Sequence, residues 1–169
     1  MKKNKKKLLA TLIFAVIIFV VSLITKKETP GYYISLGDAF VMLTACFLPT
    51  GFSMLAALLG CGIAAYLIAG IPGLIGVVVF RVLAACWFMD DEKKLLTSRT
   101  AIGIVMSFVL FTAGGYMIEA VKLNDYIAPL STLYFSALGA IANVVLFLII
   151  AFILDKFNIK GKINLEEKK

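Results

Sequence analysis

Three ionisable side chains lie inside long apolar stretches of the chain: Asp38, Arg81 and Glu119. A charge near the centre of a membrane helix costs roughly 2.5–3.5 kcal/mol by insertion scales, so such residues are candidates for function. The chemistry they offer is ion pairing, either with each other as an internal salt bridge or with a bound solute. Both interpretations stay open for Arg81, whereas the salt bridge is favoured for Glu119.

Other kinds of chemistry are poorly represented in the sequence. The chain has no histidine, which is the commonest general base and the commonest metal ligand. The acidic run Asp90-Asp91-Glu92 is followed directly by Lys93 and Lys94, which indicates a self-neutralised loop rather than a metal site. No glycine-rich phosphate loop is present, so the chain cannot hydrolyse ATP by itself. We therefore expect a protein that is not an enzyme and that uses no cofactor or metal.

The elements that position these residues are predicted to be membrane helices. The chain is 62% hydrophobic and 16% charged, far from the balance of a soluble domain. Residues 39–80 carry no charge and would make about 63 Å of helix, roughly twice a bilayer core. They must therefore fold back, at Pro49-Thr50-Gly51 and at Gly70-Ile71-Pro72-Gly73. The predicted spans are 8–25, 35–48, 51–69, 71–89, 99–122 and 128–154.

Lysine and arginine set the predicted orientation of these spans. With six spans and both tails inside, thirteen basic residues face the cytoplasm and three face outside. Merging span 35–48 with the next would give five helices and tails on opposite sides, which this bias argues against. We expect an all-α integral membrane protein with six transmembrane helices and cytoplasmic N- and C-termini. Its parts are a basic tail (1–7), a six-helix transmembrane domain (8–155) and a polar tail (156–169), with no nucleic-acid partner.

The first span carries small residues on one face, at Thr11, Ala15 and Ser22. Such a face lets helices approach closely, which usually serves packing within one chain. On a lone N-terminal helix it can also dock a partner subunit. Tyrosines recur near the predicted outer half, where an aromatic belt is expected and where a planar ligand could also stack between rings.

Several short segments form a recognisable series along the chain. The segment Leu36-Gly37-Asp38-Ala39 opens the second predicted helix. It is followed by the turn Leu48-Pro49-Thr50-Gly51, the small-residue third helix from Gly60 to Tyr66, Arg81, and Gly114-Gly115-Tyr116-Met117-Ile118-Glu119. Together these segments cover about residues 30 to 120, and they resemble the substrate-binding S components of energy-coupling-factor (ECF) vitamin transporters. The first segment is the most specific, and Arg81 stands where a lysine is usual in that family.

The resemblance implies a passive binding subunit of an importer in the bacterial cytoplasmic membrane. Such a subunit captures a vitamin or related small molecule from outside. It then associates with a transmembrane coupling subunit and two cytosolic ATPases, and releases the solute inward. Asp38, Tyr116 and Glu119 would line the site, and Arg81 would be the counter-ion of an anionic ligand. The small face of the first helix, at Thr11, Ala15 and Ser22, would meet the coupling subunit.

The chain departs from the family pattern in two places. The sixth helix of the family often carries an asparagine and a glutamine facing the ligand. Here Tyr134-Phe135-Ser136-Ala137 occupies that region and only Asn143 lies deeper. The alanine-xxx-alanine motif of the first helix is reduced to Thr11-xxx-Ala15. Two other functions remain as alternatives: a membrane scaffold of the cell-shape (rod-morphogenesis) type, which binds no solute, and a small lipid-modifying enzyme using Asp90 and Asp91.

Overall fold

Long apolar stretches satisfy their backbone hydrogen bonds within a membrane as helices. The computed structural model describes residues 2–25, 27–29, 32–88 and 94–163, so the acidic run at 90–92 lies outside the described residues. A short antiparallel hairpin joins the first two helices, β1 (Lys27–Thr29) with β2 (Tyr32–Ile34). The helices are α1 (Lys2–Ile24), α2 (Gly37–Phe47), α3 (Thr50–Ile68), α4 (Gly70–Phe88), α5 (Ser98–Leu123), α6 (Leu133–Lys156) and α7 (Ile159–Ile163).

Five helices in the described part of the chain are long and apolar enough to cross a membrane: α1, α3, α4, α5 and α6. The bounds of α3 and α4 lie within one residue of the predicted spans 51–69 and 71–89. The remaining predicted span, 35–48, contains α2, whose 11 residues make about 16 Å of helix. Since a bilayer core is about 30 Å thick, α2 is too short to cross it by its own length.

Both predicted breaks in the long apolar stretch are confirmed. Leu48 is extended (φ −114°, ψ 146°), as expected of a residue before proline, and it ends α2. Gly70 has φ 64° and ψ −147°, a conformation open essentially to glycine alone, and it separates α3 from α4. Pro72 follows in the first turn of α4, where its missing N–H is tolerated.

Contacts along α1 show in which direction α2 and α3 run relative to it. The ammonium of Lys7 lies 5.9 Å from the ring centre of Phe52, at the start of α3. Farther along both helices, Ile18 packs directly against Gly60. The two helices are therefore parallel, and α2, which lies between them in sequence, runs back toward the start of α1.

The tails and turns gather at two ends of the bundle. Leu95 and Leu96 donate their backbone N–H groups to the Asp155 carboxylate, which ties the α4–α5 connection to the end of α6. Cys86 Sγ lies 3.9 Å from Met54 Sδ, so α4 ends beside the start of α3. We call this end, which also carries the start of α1, the basic end. The opposite end carries the β1–β2 hairpin and the α5–α6 connection, and we call it the hairpin end.

The core of the bundle is α2, which the other helices enclose. Ten of its 11 residues are buried, Phe40 being the half-buried exception. A helix that is apolar on all faces belongs in such a position. By contrast, α1 and α6 expose large side chains such as Val16 and Phe152, as expected for surfaces that face lipid.

Close approach between α1 and α3 depends on Gly60. A methyl group at this position would lie 2.7 Å from Ile18 Cβ and 2.8 Å from the Ala15 carbonyl oxygen. We expect Gly60→Ala to destabilise the fold by about 1–3 kcal/mol through overpacking. Unfolding of the detergent-purified protein by heat or by SDS measures the loss. Gly51→Ala is the matched control, because nothing lies within 4 Å of the added methyl there; equal stability of the two variants would contradict this packing.

Candidate functional site

Asp38 lies in the first turn of α2 and is buried, with 5% of its surface exposed. A carboxylate at this position is favoured by the positive end of the helix dipole. Two side-chain hydrogen bonds hold the turn that precedes α2. Ser35 Oγ accepts the N–H of Gly37 at 3.1 Å, and Thr25 Oγ1 at the end of α1 accepts the N–H of Leu36 at 3.0 Å.

Asn143 of α6 clamps the start of α2 with its whole amide group. Its Oδ1 accepts the N–H of Ala39 at 2.9 Å. Its Nδ2 donates to the carbonyl oxygens of Ser35 and Gly139, both at 2.8 Å. Since both amide hydrogens are used, Asn143 acts as a clamp that holds the backbone around Asp38 against α6.

Arg81 reaches Asp38 from α4. It is the last residue of a π-helical turn, Val77–Arg81, which leads into a regular turn, Val82–Ala85. π-helical turns inside α-helices are frequent at functional sites, and the wider turn rotates the residues that follow it relative to a regular helix. The turn thus presents the Arg81 side chain to the interior, where it is 8% exposed.

The two charges form a bidentate ion pair. Arg81 Nε donates to Asp38 Oδ1, and Nη2 donates to Oδ2 at 3.1 Å. The thiol of Cys61 on α3 lies 4.0 Å from Oδ1. This fork geometry is the strongest arrangement of a guanidinium and a carboxylate. It can hold α2 and α4 together beside α3, and it can also offer both an anion and a cation to a solute.

A cavity opens beside this ion pair at the hairpin end. It has a volume of about 20 Å³, which is room for about one water molecule. Its wall is formed by α2, α4, α5, α6 and the turn before α2. The lining residues are Ser35, Asp38, Arg81, Phe111, Gly115, Ile118, Ser136, Gly139, Ala140 and Asn143.

The sequence prediction placed four residues in a ligand site, and the structure brings two of them, Asp38 and Arg81, together. Tyr116 and Glu119 do not line the cavity. Tyr116 Oη instead donates to the Tyr126 carbonyl oxygen at 2.6 Å, and Glu119 lies 3.7 Å from the Lys122 ammonium. On α5 the cavity is lined by Gly115 and Ile118, each one residue earlier and therefore about 100° around the helix.

The small face of α1, predicted as a docking face, is buried in this structure. Thr11 has no exposed surface, and Ala15 and Ser22 are also buried. Ser22 Oγ packs against Gly37 of α2. A methyl group added to Gly37 would lie 1.9 Å from this oxygen. These residues thus serve packing inside the chain, and α1 presents larger apolar side chains to its surroundings.

Sequence reasoning left out the uncharged part of the cavity wall. Asn143 was noted only as a departure from the family pattern, although a buried amide in an apolar 24-residue helix was a usable signal. Ser35, Ser136 and Gly139 gave no signal by residue type.

In the described part of the chain, no group of three or more His, Cys, Asp or Glu side chains could hold a metal ion.

Comparison with known proteins adds no assignment. No protein-family model matches the chain, and neither a curated protein nor a solved structure matches it significantly.

Breaking the ion pair on one side leaves a buried charge without its counter-ion. We expect Asp38→Asn to lower the free energy of unfolding by about 3–5 kcal/mol, and we expect a part of that loss to be restored in Asp38→Asn/Arg81→Gln. Unfolding in detergent measures both. Glu119→Gln is the comparison, because its partner Lys122 is about one third exposed and the expected loss is within about 1 kcal/mol. Equal losses for the two single variants would contradict the special role of the pair.

Proposed function

We propose that the protein is the substrate-binding subunit of an ECF-type importer. In this proposal it captures a vitamin or a related small molecule from outside the cell. The observation that carries the proposal is the buried Asp38–Arg81 pair on the wall of a cavity. A pair that served only to join helices could be replaced by apolar residues at little or no cost. Charges kept inside an apolar bundle, beside a cavity, favour a binding role.

The position of the cavity agrees with capture from outside. It lies at the hairpin end, and most basic residues of the chain lie toward the opposite end. Because Lys and Arg mark the cytoplasmic side, the basic end faces the cytoplasm in this proposal and the cavity faces outward. The cavity, with a volume of about 20 Å³, is smaller than a vitamin, so binding a solute of that size requires side chains to move.

Energy for inward release comes from partners in this proposal. The sequence has no nucleotide-binding loop, so a transmembrane coupling subunit and two cytosolic ATPases supply it. The small face of α1 is occupied within the chain, so the coupling subunit meets other surfaces of the bundle. The exposed apolar side chains of the long helices provide such surfaces in the membrane.

The proposed topology has six passes, with α2 and its flanking turns as the second. Although α2 is short, it carries the chain from the level of Ser22 near the end of α1 to the level of Lys7 near its start. Six passes place both tails in the cytoplasm, as the distribution of lysines favours.

Reporter fusions test this topology. We expect green fluorescent protein to fluoresce when fused at either terminus, because both tails are cytoplasmic. Alkaline phosphatase inserted after Asn124, in the α5–α6 connection, is expected to be active because that connection lies outside. The matched control is phosphatase inserted after Lys94, at the basic end, where it should be inactive. Tails on opposite sides would contradict the proposed six-pass arrangement.

A thermal-shift screen against vitamins and their precursors tests the binding function. A ligand at 100 times its dissociation constant adds about 2.7 kcal/mol to stability, which raises the melting temperature of the purified protein. We expect Arg81→Gln to lose this response and Lys122→Gln, which removes a cation outside the cavity, to keep it. Absence of any stabilising compound, together with no co-purified coupling subunit, would contradict the proposal. Co-purification with cell-shape proteins would then favour the scaffold.

A further inference from the structure

The net charge of the chain is concentrated in three segments. Residues 1–7, 90–99 and 155–169 hold thirteen of the seventeen basic residues and six of the ten acidic ones, a surplus equal to the whole net charge of +7. The rest of the chain has four residues of each sign. The described parts of the three segments lie at the basic end. This end is therefore strongly positive, whereas the remainder of the bundle is balanced.

Hydrogen bonds bring three exposed cations of this end to one place. Asp155 at the end of α6 accepts the N–H of Leu95 at 2.7 Å, and Thr100 Oγ1 in the first turn of α5 donates to the Leu95 carbonyl oxygen at 2.6 Å. Each of these three bonded residues has a basic neighbour in the sequence whose side chain is exposed. The three basic neighbours, which we call the cationic cluster, are Lys94, Arg99 and Lys156.

The cationic cluster lies at the edge of an apolar surface. On α5, Ile102 follows Arg99 by three residues, so the two share a helix face. On α6, Phe152 precedes Lys156 by four residues and shares a face with it in the same way. Ile102 and Phe152 are both more than half exposed, as expected toward acyl chains. The cations next to them are therefore at the level of the lipid headgroups.

An aromatic residue supports this assignment of depth. Trp87 lies in the last turn of α4, at the basic end, and its side chain is exposed. Tryptophan is enriched where the hydrocarbon core of a membrane meets the headgroups. Lysine and arginine can rest their apolar stems on the hydrocarbon side of this boundary and place their charges among the phosphates.

We propose that the cationic cluster binds the headgroup of an anionic phospholipid in the leaflet that meets the basic end. The phosphate pairs with the three cations, and the acyl chains lie along the exposed apolar faces of α5 and α6. A free phosphate would make only the first of these contacts. Each basic residue near an anionic lipid surface adds about fivefold to affinity. The proposal is independent of the import function, because it uses neither the cavity nor a partner subunit.

Lipid titration of the detergent-purified full chain, followed by native mass spectrometry, tests the proposal. Dioleoyl-phosphatidylglycerol is anionic, and dioleoyl-phosphatidylcholine has the same acyl chains but no net charge. We expect the first molecule of phosphatidylglycerol to bind at least about tenfold more tightly than phosphatidylcholine. This preference is expected to shrink as the salt concentration rises, because salt screens exposed charges. Inorganic phosphate at the same concentration is expected not to compete.

Three variants identify the cluster as the binding surface. Lys94→Gln/Arg99→Gln/Lys156→Gln is expected to lose the preference for phosphatidylglycerol. Exchanging lysine for arginine and arginine for lysine at the same three positions is expected to keep it, because the charges are retained. The matched control removes the same net charge elsewhere and is expected to keep most of the preference. It changes to glutamine three exposed residues outside the cluster: Lys5, Lys6 and Lys122.

The outcomes decide between a defined surface and the charge of the chain as a whole. Loss of the preference in the cluster variant alone supports the proposal. Equal loss in the cluster variant and its matched control overturns it, because net charge would then explain the binding. Equal affinity of the wild-type protein for the two lipids also overturns it. Competition by inorganic phosphate as strong as that by phosphatidylglycerol overturns the assignment to a lipid.

Discussion

The bidentate ion pair between Asp38 and Arg81, which are 43 residues apart along the chain, joins α2 to α4, and both charges are withdrawn from water. Burial of two such ions is tolerable only if the two side chains are held in good geometry relative to each other. The Asn143 amide and the Ser35 turn fix the backbone on one side, and the π-helical turn of α4 presents the guanidinium on the other. The arrangement of α2, α4 and α6 at the hairpin end is thus inseparable from this interaction.

Much of the fold follows from simple constraints on length and charge. The spans of α3 and α4 could be predicted to within one residue because an uncharged stretch of that length has to turn at its Pro49 and Gly70 segments. The length of α2 could not be predicted in the same way. An apolar segment between two breaks has the same sequence pattern whether it crosses the bilayer or is enclosed by other helices. Only its contacts in the folded chain distinguish the two cases.

The two charged residues of the cavity wall could be singled out from the sequence. Asp38 and Arg81 stand out because charges are rare in apolar spans, but their pairing depends on distances in space. On α5 the sequence directs attention to Tyr116 and Glu119 by residue type, while Gly115 and Ile118 line the cavity. A membrane helix that is apolar on every side carries no pattern that identifies its inner face. For the same reason, the sequence did not show whether the small face of α1 packs within the chain or docks a partner subunit.

The enclosure of α2 has a consequence for biogenesis. Asp38 precedes Arg81 by 43 residues, so the acid is synthesised before the base that pairs with it. Until Arg81 is in place, burying the Asp38 carboxylate leaves a charge without its counter-ion, which is strongly unfavourable. We therefore expect α2 to become enclosed only after α4 has been made.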